Sequence, residues 1–403
     1  MTGGGDLAIV LTGGGARAAY QVGVLRGIGR RLPDARFDII HGVSAGAINA
    51  AFLASRGSAL PAASQELAAL WSSLQVEQVF RVDVGSLLRQ LSRWMFRLAS
   101  GGARVVETHG LVDTGPLEKL LRGALPQRNG GEIAGIAENV ARCDPKAVAL
   151  TALDYGTGQT VTWVQGCEIQ LWERPMRRSV RAPLGIAHVM ASAALPLFFP
   201  AVRVGESWYG DGGIRLSAPL SPALHLGARR ILAISTSHQK SFAEADLPAT
   251  IGYPPPAQIL GHLSQSVFLD LIDQDALRLE RSNRFLERLP EAERQGFRLV
   301  DLLVMRPSRD LGRLAGEFEP YLPRAFRFLT RGWGTLETSS PDLLSLLMFE
   351  PHYVRRLIEV GEADVDARLE EIAEILKPAG RPAVPRARAE HGSIGASAYL
   401  EGT

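Results

Sequence analysis

Cysteine is nearly missing from this chain: Cys143 and Cys167 are the only two in 403 residues. So few thiols exclude a disulfide-framework protein, and they read as reduced core residues in a reducing, cytoplasmic setting. An excess of one charge is missing too, with 44 Lys and Arg against 42 Asp and Glu. That balance calls for no nucleic acid, and no basic cluster interleaved with aromatics is present. Long apolar runs are absent. The longest, residues 189–202, is interrupted by Pro196 and Pro200 and is too short to cross a bilayer. Residues 1–6 place no basic segment ahead of an apolar one, so no signal peptide is expected. There is no H-E-x-x-H, no paired C-x-x-C and no calcium loop, so the expected chemistry needs neither metal nor cofactor.

What is there is a globular composition, 46% hydrophobic and 21% charged, with length for a large core. Residues 7–11 form a continuous apolar run, as in a strand buried on both faces. Gly13-Gly14-Gly15 follows, then a helical stretch over 16–32, a second strand over 37–41 and a small-residue helix over 47–54. This alternation predicts an α/β protein with a parallel sheet wrapped by helices. Further strands are expected at 147–153, 160–164 and 230–235, with a hairpin-like turn at Tyr155-Gly156-Thr157-Gly158.

Two regions look inserted or appended. In residues 79–106, Arg89, Arg93 and Arg97 share one helix face beside Trp94. Such a helix over 86–99 suits peripheral contact with a membrane or a lid, although a surface helix packed on the core is the more ordinary outcome. From residue 225 the chain reads as one strand and then mainly helix, over 256–289, 320–329, 343–349 and 365–376. Residues 377–403 turn to Pro, Arg, Ala and Gly and read as a disordered tail. No oligomeric state follows from the sequence.

The chemistry concentrates in Gly42-Val43-Ser44-Ala45-Gly46, which fits a nucleophile elbow between strand and helix. The helix start behind Ser44 offers free N–H groups to a developing oxyanion. Gly13-Gly14-Gly15-Ala16-Arg17-Ala18 loosely matches a dinucleotide fingerprint, which makes an NAD(P)-binding oxidoreductase the rival reading. That fold wants an acid closing its second strand; here Asp38 opens it. The alternative is a loop that cups an oxyanion and emerges beside the elbow at the same sheet edge. A serine needs a base. None of His41, His109, His188, His225, His238, His262, His352 and His391 stands in a setting that marks it as one. Tyr209-Gly210-Asp211-Gly212-Gly213 presents a carboxylate in a glycine turn, although by itself it reads as an ordinary hairpin turn.

Taken together, these segments resemble the patatin-like phospholipase family. The resemblance rests on the loop Gly13-Gly14-Gly15-Ala16-Arg17, the elbow around Ser44, the stretch Ser192-Ala193-Ala194-Leu195-Pro196-Leu197-Phe198-Phe199-Pro200 and the box Asp211-Gly212-Gly213, in that order over residues 7–224. It implies a three-layer α/β/α fold with a mainly parallel central sheet, a hydrolase domain over 7–224 and a helical C-terminal region over 225–376. It also implies a Ser44–Asp211 dyad without histidine. Gly13, Gly14 and Gly15 would hold the oxyanion, Arg17 would orient that loop, and Gly42 and Gly46 would frame the elbow. Ala18 and Thr12 depart from the residues many relatives carry. The implied activity is hydrolysis of phospholipid or lysophospholipid acyl esters. Neutral lipids, thioesters or polyesters are the alternative substrates, and a non-catalytic effector is a further rival.

Overall fold

The computed structural model describes residues 6–57, 59–81, 110–128, 130–239, 271–323 and 341–377, with 92, 244, 246, 253–256, 258–259, 261–263 and 326–327 between them. The expected basic helix, with Arg89, Arg93, Arg97 and Trp94, and the expected tail from residue 378 lie outside the described residues.

The strands are β1 (Leu7–Leu11), β2 (Ile39–Val43), β3 (Ala147–Asp154), β4 (Thr160–Gly166), β5 (Glu173–Arg174), β6 (Arg177–Arg181), β7 (Val202–Val204), β8 (Ser207–Asp211), β9 (Arg230–Ile234) and β10 (Asp301–Met305). They form one mixed sheet in the order β10-β9-β1-β2-β3-β4-β6-β5, with β8 on β3 and β7 on β8. From β10 to β3 all neighbours are parallel. The sheet turns antiparallel at β3 and β4, where the 155–158 turn makes the expected hairpin.

The helices used below are α1 (Ala19–Arg31), α2 (Ala45–Arg56), α3 (Leu60–Ser72), α4 (Gly115–Ala124), α5 (Ala134–Ala141), α6 (Ile186–Ser192), α7 (Leu271–Leu286), α8 (Leu311–Phe318), α9 (Asp342–Leu347), α10 (Pro351–Ala367) and α11 (Leu369–Leu376). The apolar run of β1 alternates between two cores, because successive side chains leave a strand on opposite faces. Leu7, Ile9 and Leu11 face a core shared with α1, α2, α3 and α10. Ala8 and Val10 face a second core with Ile272 and Ala276 of α7. The result is three layers, α/β/α, as the sequence predicts.

Several expectations shift. The second strand starts and ends two residues later than predicted, over Ile39–Val43, so it runs directly into the elbow. The C-terminal part adds two strands rather than one: β10 lies parallel to β9 and forms the sheet edge. Its signal is weak because an edge strand is only partly buried. Helix α10 begins at Pro351, well before the expected 365, with the Glu350 carboxylate accepting from the N–H groups of His352 and Tyr353. Of the stretch 256–289, α7 covers Leu271–Leu286 and residues 264–270 lie outside the description.

The cysteine expectation is overturned. Cys143 and Cys167 are joined in a disulfide, with Cα atoms 5.7 Å apart, and neither is a core residue. The β3–β4 register is the reason. Ala147 faces Gly166, and Cys167 N–H donates to Lys146 O, which brings the chain after α5 beside the end of β4. Such a bridge is at odds with the reducing compartment that a low thiol count suggested. No described helix is long and apolar enough to cross a membrane.

Candidate active site

Strands β1 and β2 are parallel neighbours with Leu11 opposite Gly42, so residues 13–15 and Ser44 emerge together at one carboxyl edge. Asp211 reaches that edge through register. Strand β2 pairs with β3 as far as Val43 opposite Thr151; β8 then takes up β3 with Asp211 opposite Ala152. Since β4 occupies the other side of β3, Asp211 follows directly beyond the end of β2. Its N–H donates to Ala194 O at 2.9 Å.

Ser44 has φ 57° and ψ −132°, a conformation that a non-glycine residue adopts only under constraint. The constraint is visible. Its N–H donates to Ser192 Oγ at 3.0 Å, and Ser192 Oγ donates to Thr151 O at 2.7 Å. Gly46 supplies the close approach: a Cβ there would sit 2.3 Å from Leu11 O and 2.5 Å from Thr12 O. The elbow helix α2 therefore packs its first turn against the end of β1, and the two loops are drawn together.

The glycine loop lies against the serine. A Cβ on Gly13 would come within 3.0 Å of Ser44 Cβ, and one on Gly15, at φ 54°, would strike Leu346 O of α9. Thr236 Oγ1 donates to Gly13 O at 2.7 Å. The loop leads into a helix start, where N–H groups have no intrahelical acceptor and the field favours negative charge. Arg17 does not point at the serine. It is buried, donates to Ser345 Oγ at 2.6 Å and forms an ion pair with the Asp342 carboxylate, both on α9. Thr12 Oγ1 donates to Ile234 O, so the departure at Thr12 serves to tie the loop to β9.

Asp211 is fully buried. Oδ1 accepts the Gly213 N–H at 2.8 Å, while Oδ2 has no hydrogen-bond partner. Burial pushes its pKa up to about 7, against smaller downward pulls from the Ser44 hydroxyl and the Gly213 N–H. The Ser44 hydroxyl thus lies close enough to the Asp211 carboxyl to favour its charged form.

Ser44 opens into a cavity lined by Ile48 of α2, Leu70 and Trp71 of α3, Leu121 of α4, Phe199 and Phe349, among others. Its wall is almost wholly apolar. Among the described residues no histidine lines it. His41 is buried against Thr151 Oγ1, and burial lowers its pKa to about 3. Asp38 accepts the Leu7 N–H at 2.8 Å, at the opposite edge of the sheet from the glycine loop, where it cannot hold a ribose beside that loop.

Sequence reasoning missed a buried polar chain behind the loops. Gln21 Nε2 donates to Thr12 O, Asn49 Nδ2 to Gln21 Oε1, and Trp71 Nε1 to Asn49 Oδ1. It links glycine loop, elbow helix and cavity wall. The one available signal was a polar residue inside each of two otherwise apolar helix faces. Asp342 and Ser345 carried no local signal at all.

Residues 9–224 match the family model described as patatin-like phospholipase. No curated protein shows significant similarity to the chain. Among solved structures, human GIVD cytosolic phospholipase A2 in complex with methyl gamma-linolenyl fluorophosphonate is 15% identical with a TM-score of 0.42, over 92% of this chain and 59% of that one. VipD from Legionella pneumophila is 12% identical with a TM-score of 0.35, over 91% and 67%. The type III effector ExoU is 15% identical with a TM-score of 0.30, over 92% and 60%. The chain thus spans about three fifths of the length of the human enzyme.

Proposed function

The chain belongs to the patatin-like phospholipase family, and from that premise we propose that it is a serine hydrolase of phospholipid or lysophospholipid acyl esters, working with a Ser44–Asp211 dyad. One juxtaposition carries the reading: Ser44 stands in the wall of an apolar cavity, with a buried carboxyl of pKa about 7 behind it. An ordinary carboxylate, with pKa about 3.9, is a poor base for a hydroxyl. One near 7 is far better matched to proton transfer at neutral pH.

In the first half-reaction Ser44 Oγ attacks the ester carbonyl carbon and its proton passes to Asp211. The N–H groups of the 13–15 loop receive the oxyanion; one such donor is worth about a hundred- to a thousandfold in rate. Collapse breaks the ester C–O bond, and the leaving alcohol takes the proton from Asp211. In the second half-reaction Asp211 accepts a proton from water, whose oxygen attacks the acyl-serine; collapse breaks the bond to Ser44 Oγ, which takes the proton back from Asp211 as the fatty acid leaves. The apolar cavity suits the acyl chain.

The test is a panel of head groups, chain lengths, neutral lipids, thioesters and polyesters, run on wild type and Ser44→Ala in parallel. Preferred turnover of phospholipid or lysophospholipid, lost in Ser44→Ala, supports the reading; turnover that survives the substitution removes it. Labelling by a fluorophosphonate that disappears in Ser44→Ala would count against the oxidoreductase reading.

Two smaller effects follow. Since the base must be ionised, kcat/KM on a soluble ester should rise with pH, pass its half-maximum near pH 7 and level off about one unit above. A profile flat from pH 5 to 8 would contradict this. Ser192→Ala removes the group that holds the Ser44 N–H. It should lower kcat by about ten- to a hundredfold with KM little changed, because a misplaced nucleophile costs rate rather than binding. Steady-state kinetics decide it, and a pure KM effect would argue otherwise.

A further inference from the structure

Beyond the catalytic reading, on which it builds, we infer that the face around the site mouth is built to dock on an anionic lipid bilayer. Four large apolar side chains stand out into solvent there: Leu197 is 65% exposed, Trp208 51%, Tyr155 44% and Met176 40%. They come from separate elements at one sheet edge. Tyr155 N–H donates to Trp208 O, continuing the ladder that pairs Asp154 with Tyr209, so the two residues are neighbours across the strands. Met176 reaches the same turn, with its Cε 3.9 Å from where a Cβ on Gly158 would lie. Leu197 sits between Leu195 and Phe199, both of which line the cavity, on the loop whose Ala194 O holds Asp211.

The backbone gives an independent sign. Leu197 has φ 66° and Met176 φ 60°. Bulky residues avoid the left-handed region, where Cβ crowds the following carbonyl. Here both are held in it with their apolar side chains outside the core, the reverse of what fold stability alone favours. Lipid is the occupant that rewards this arrangement, since exposed Trp, Tyr, Leu and Met gain by entering the boundary between head groups and acyl chains.

Charge selects the anionic kind of surface. Arg203 lies directly opposite Trp208, and Arg215 donates to Gly158 O beside Met176. Arg178, two residues after Met176, adds a side chain that is 41% exposed. The carboxylates paired with this group are Glu206, on Arg203, and the buried Asp154, 3.9 Å from Arg178. Arginines are attracted to a negative membrane surface, within the reach that salt screening allows.

The test uses the full chain carrying Ser44→Ala, so that no turnover enters, and vesicle sedimentation. The vesicles are phosphatidylcholine alone or mixed with phosphatidylglycerol. The parent should sediment with the anionic vesicles and much less with the neutral ones, and added salt should weaken it. Leu197→Asp and Trp208→Asp, with melting temperatures matching the parent, should each bind roughly tenfold or more weakly. Phe285→Asp, at an exposed position on α7, should bind like the parent. A parent that ignores both vesicles overturns the inference, which would leave the face to a protein partner. Equal loss in Phe285→Asp, or none in Leu197→Asp and Trp208→Asp, overturns it as well. Hydrolysis is never read here, so a failure of docking leaves the dyad standing, and docking by a chain that hydrolyses nothing would fail the dyad alone.

Discussion

Asp211→Asn is expected to lower kcat/KM by about a thousandfold or more, as loss of a general base does, and at the same time to make the fold more stable at pH 8. Both effects have one origin. Asp211 is fully buried, Oδ2 has no hydrogen-bond partner, and burial raises the pKa to about 7. A carboxyl whose folded pKa lies above its unfolded value binds protons more tightly in the folded state. Stability is then lost as pH rises from about 4 through about 7, and the full penalty applies above that range. Each pKa unit corresponds to about 1.4 kcal/mol, so the penalty is a few kcal/mol. Asparagine keeps the acceptor for the Gly213 N–H and carries no charge, and its amide can donate to the Ser44 hydroxyl. Urea unfolding at pH 5 and pH 8, alongside ester hydrolysis, measures both. Loss of activity together with lower stability at pH 8 would mean that Asp211 is structural. Retained activity would remove it from the chemistry.

Asp342→Ala is expected to destabilise the fold by about 3–5 kcal/mol, far more than a surface ion pair would. Arg17 and Asp342 are both nearly inaccessible, and removing the carboxylate leaves a buried guanidinium without its counter-charge. Ser345 Oγ still accepts from Arg17 Nε but carries no charge. The same change should cost activity, because Gly15 rests on Leu346 O of α9 and Arg17 follows the loop by two residues. The double variant Arg17→Met with Asp342→Leu should recover most of the stability, since replacing a whole buried pair by apolar side chains is often neutral. If it regains stability while its kcat stays low, Arg17 is shown to position the loop. A loss below about 1 kcal/mol in Asp342→Ala would show the pair to be wetter than its burial implies.

The candidate site was legible wherever its devices are local. A glycine loop after an apolar strand, an elbow glycine on each side of Ser44 and an aspartate in a glycine turn are contiguous, and each restricts the backbone within a few residues. The continuous run Leu7–Leu11 likewise declares a strand with both faces covered, and the alternation of strand and helix declares a parallel sheet. What could not be read is what register and packing bring together. Ser192 lies 148 residues from the elbow it holds, and Asp342 lies 325 from Arg17. Neither sits in a pattern whose spacing betrays its partner. The bridge between Cys143 and Cys167 escaped for the same reason, since it depends on the offset between β3 and β4.

By itself the sequence determined the layered α/β plan and the residue types at the candidate site, because apolar periodicity and glycine placement act locally. Only the tertiary structure decided that Asp211 follows beyond the end of β2, through β8 replacing β2 along β3. It also decided that Arg17 turns from the serine toward α9, and that Asp211 is dry enough for a pKa near 7. Register, burial and charge pairing belong to the assembled sheet and its helices, and desolvation exists only once the core has closed around the group.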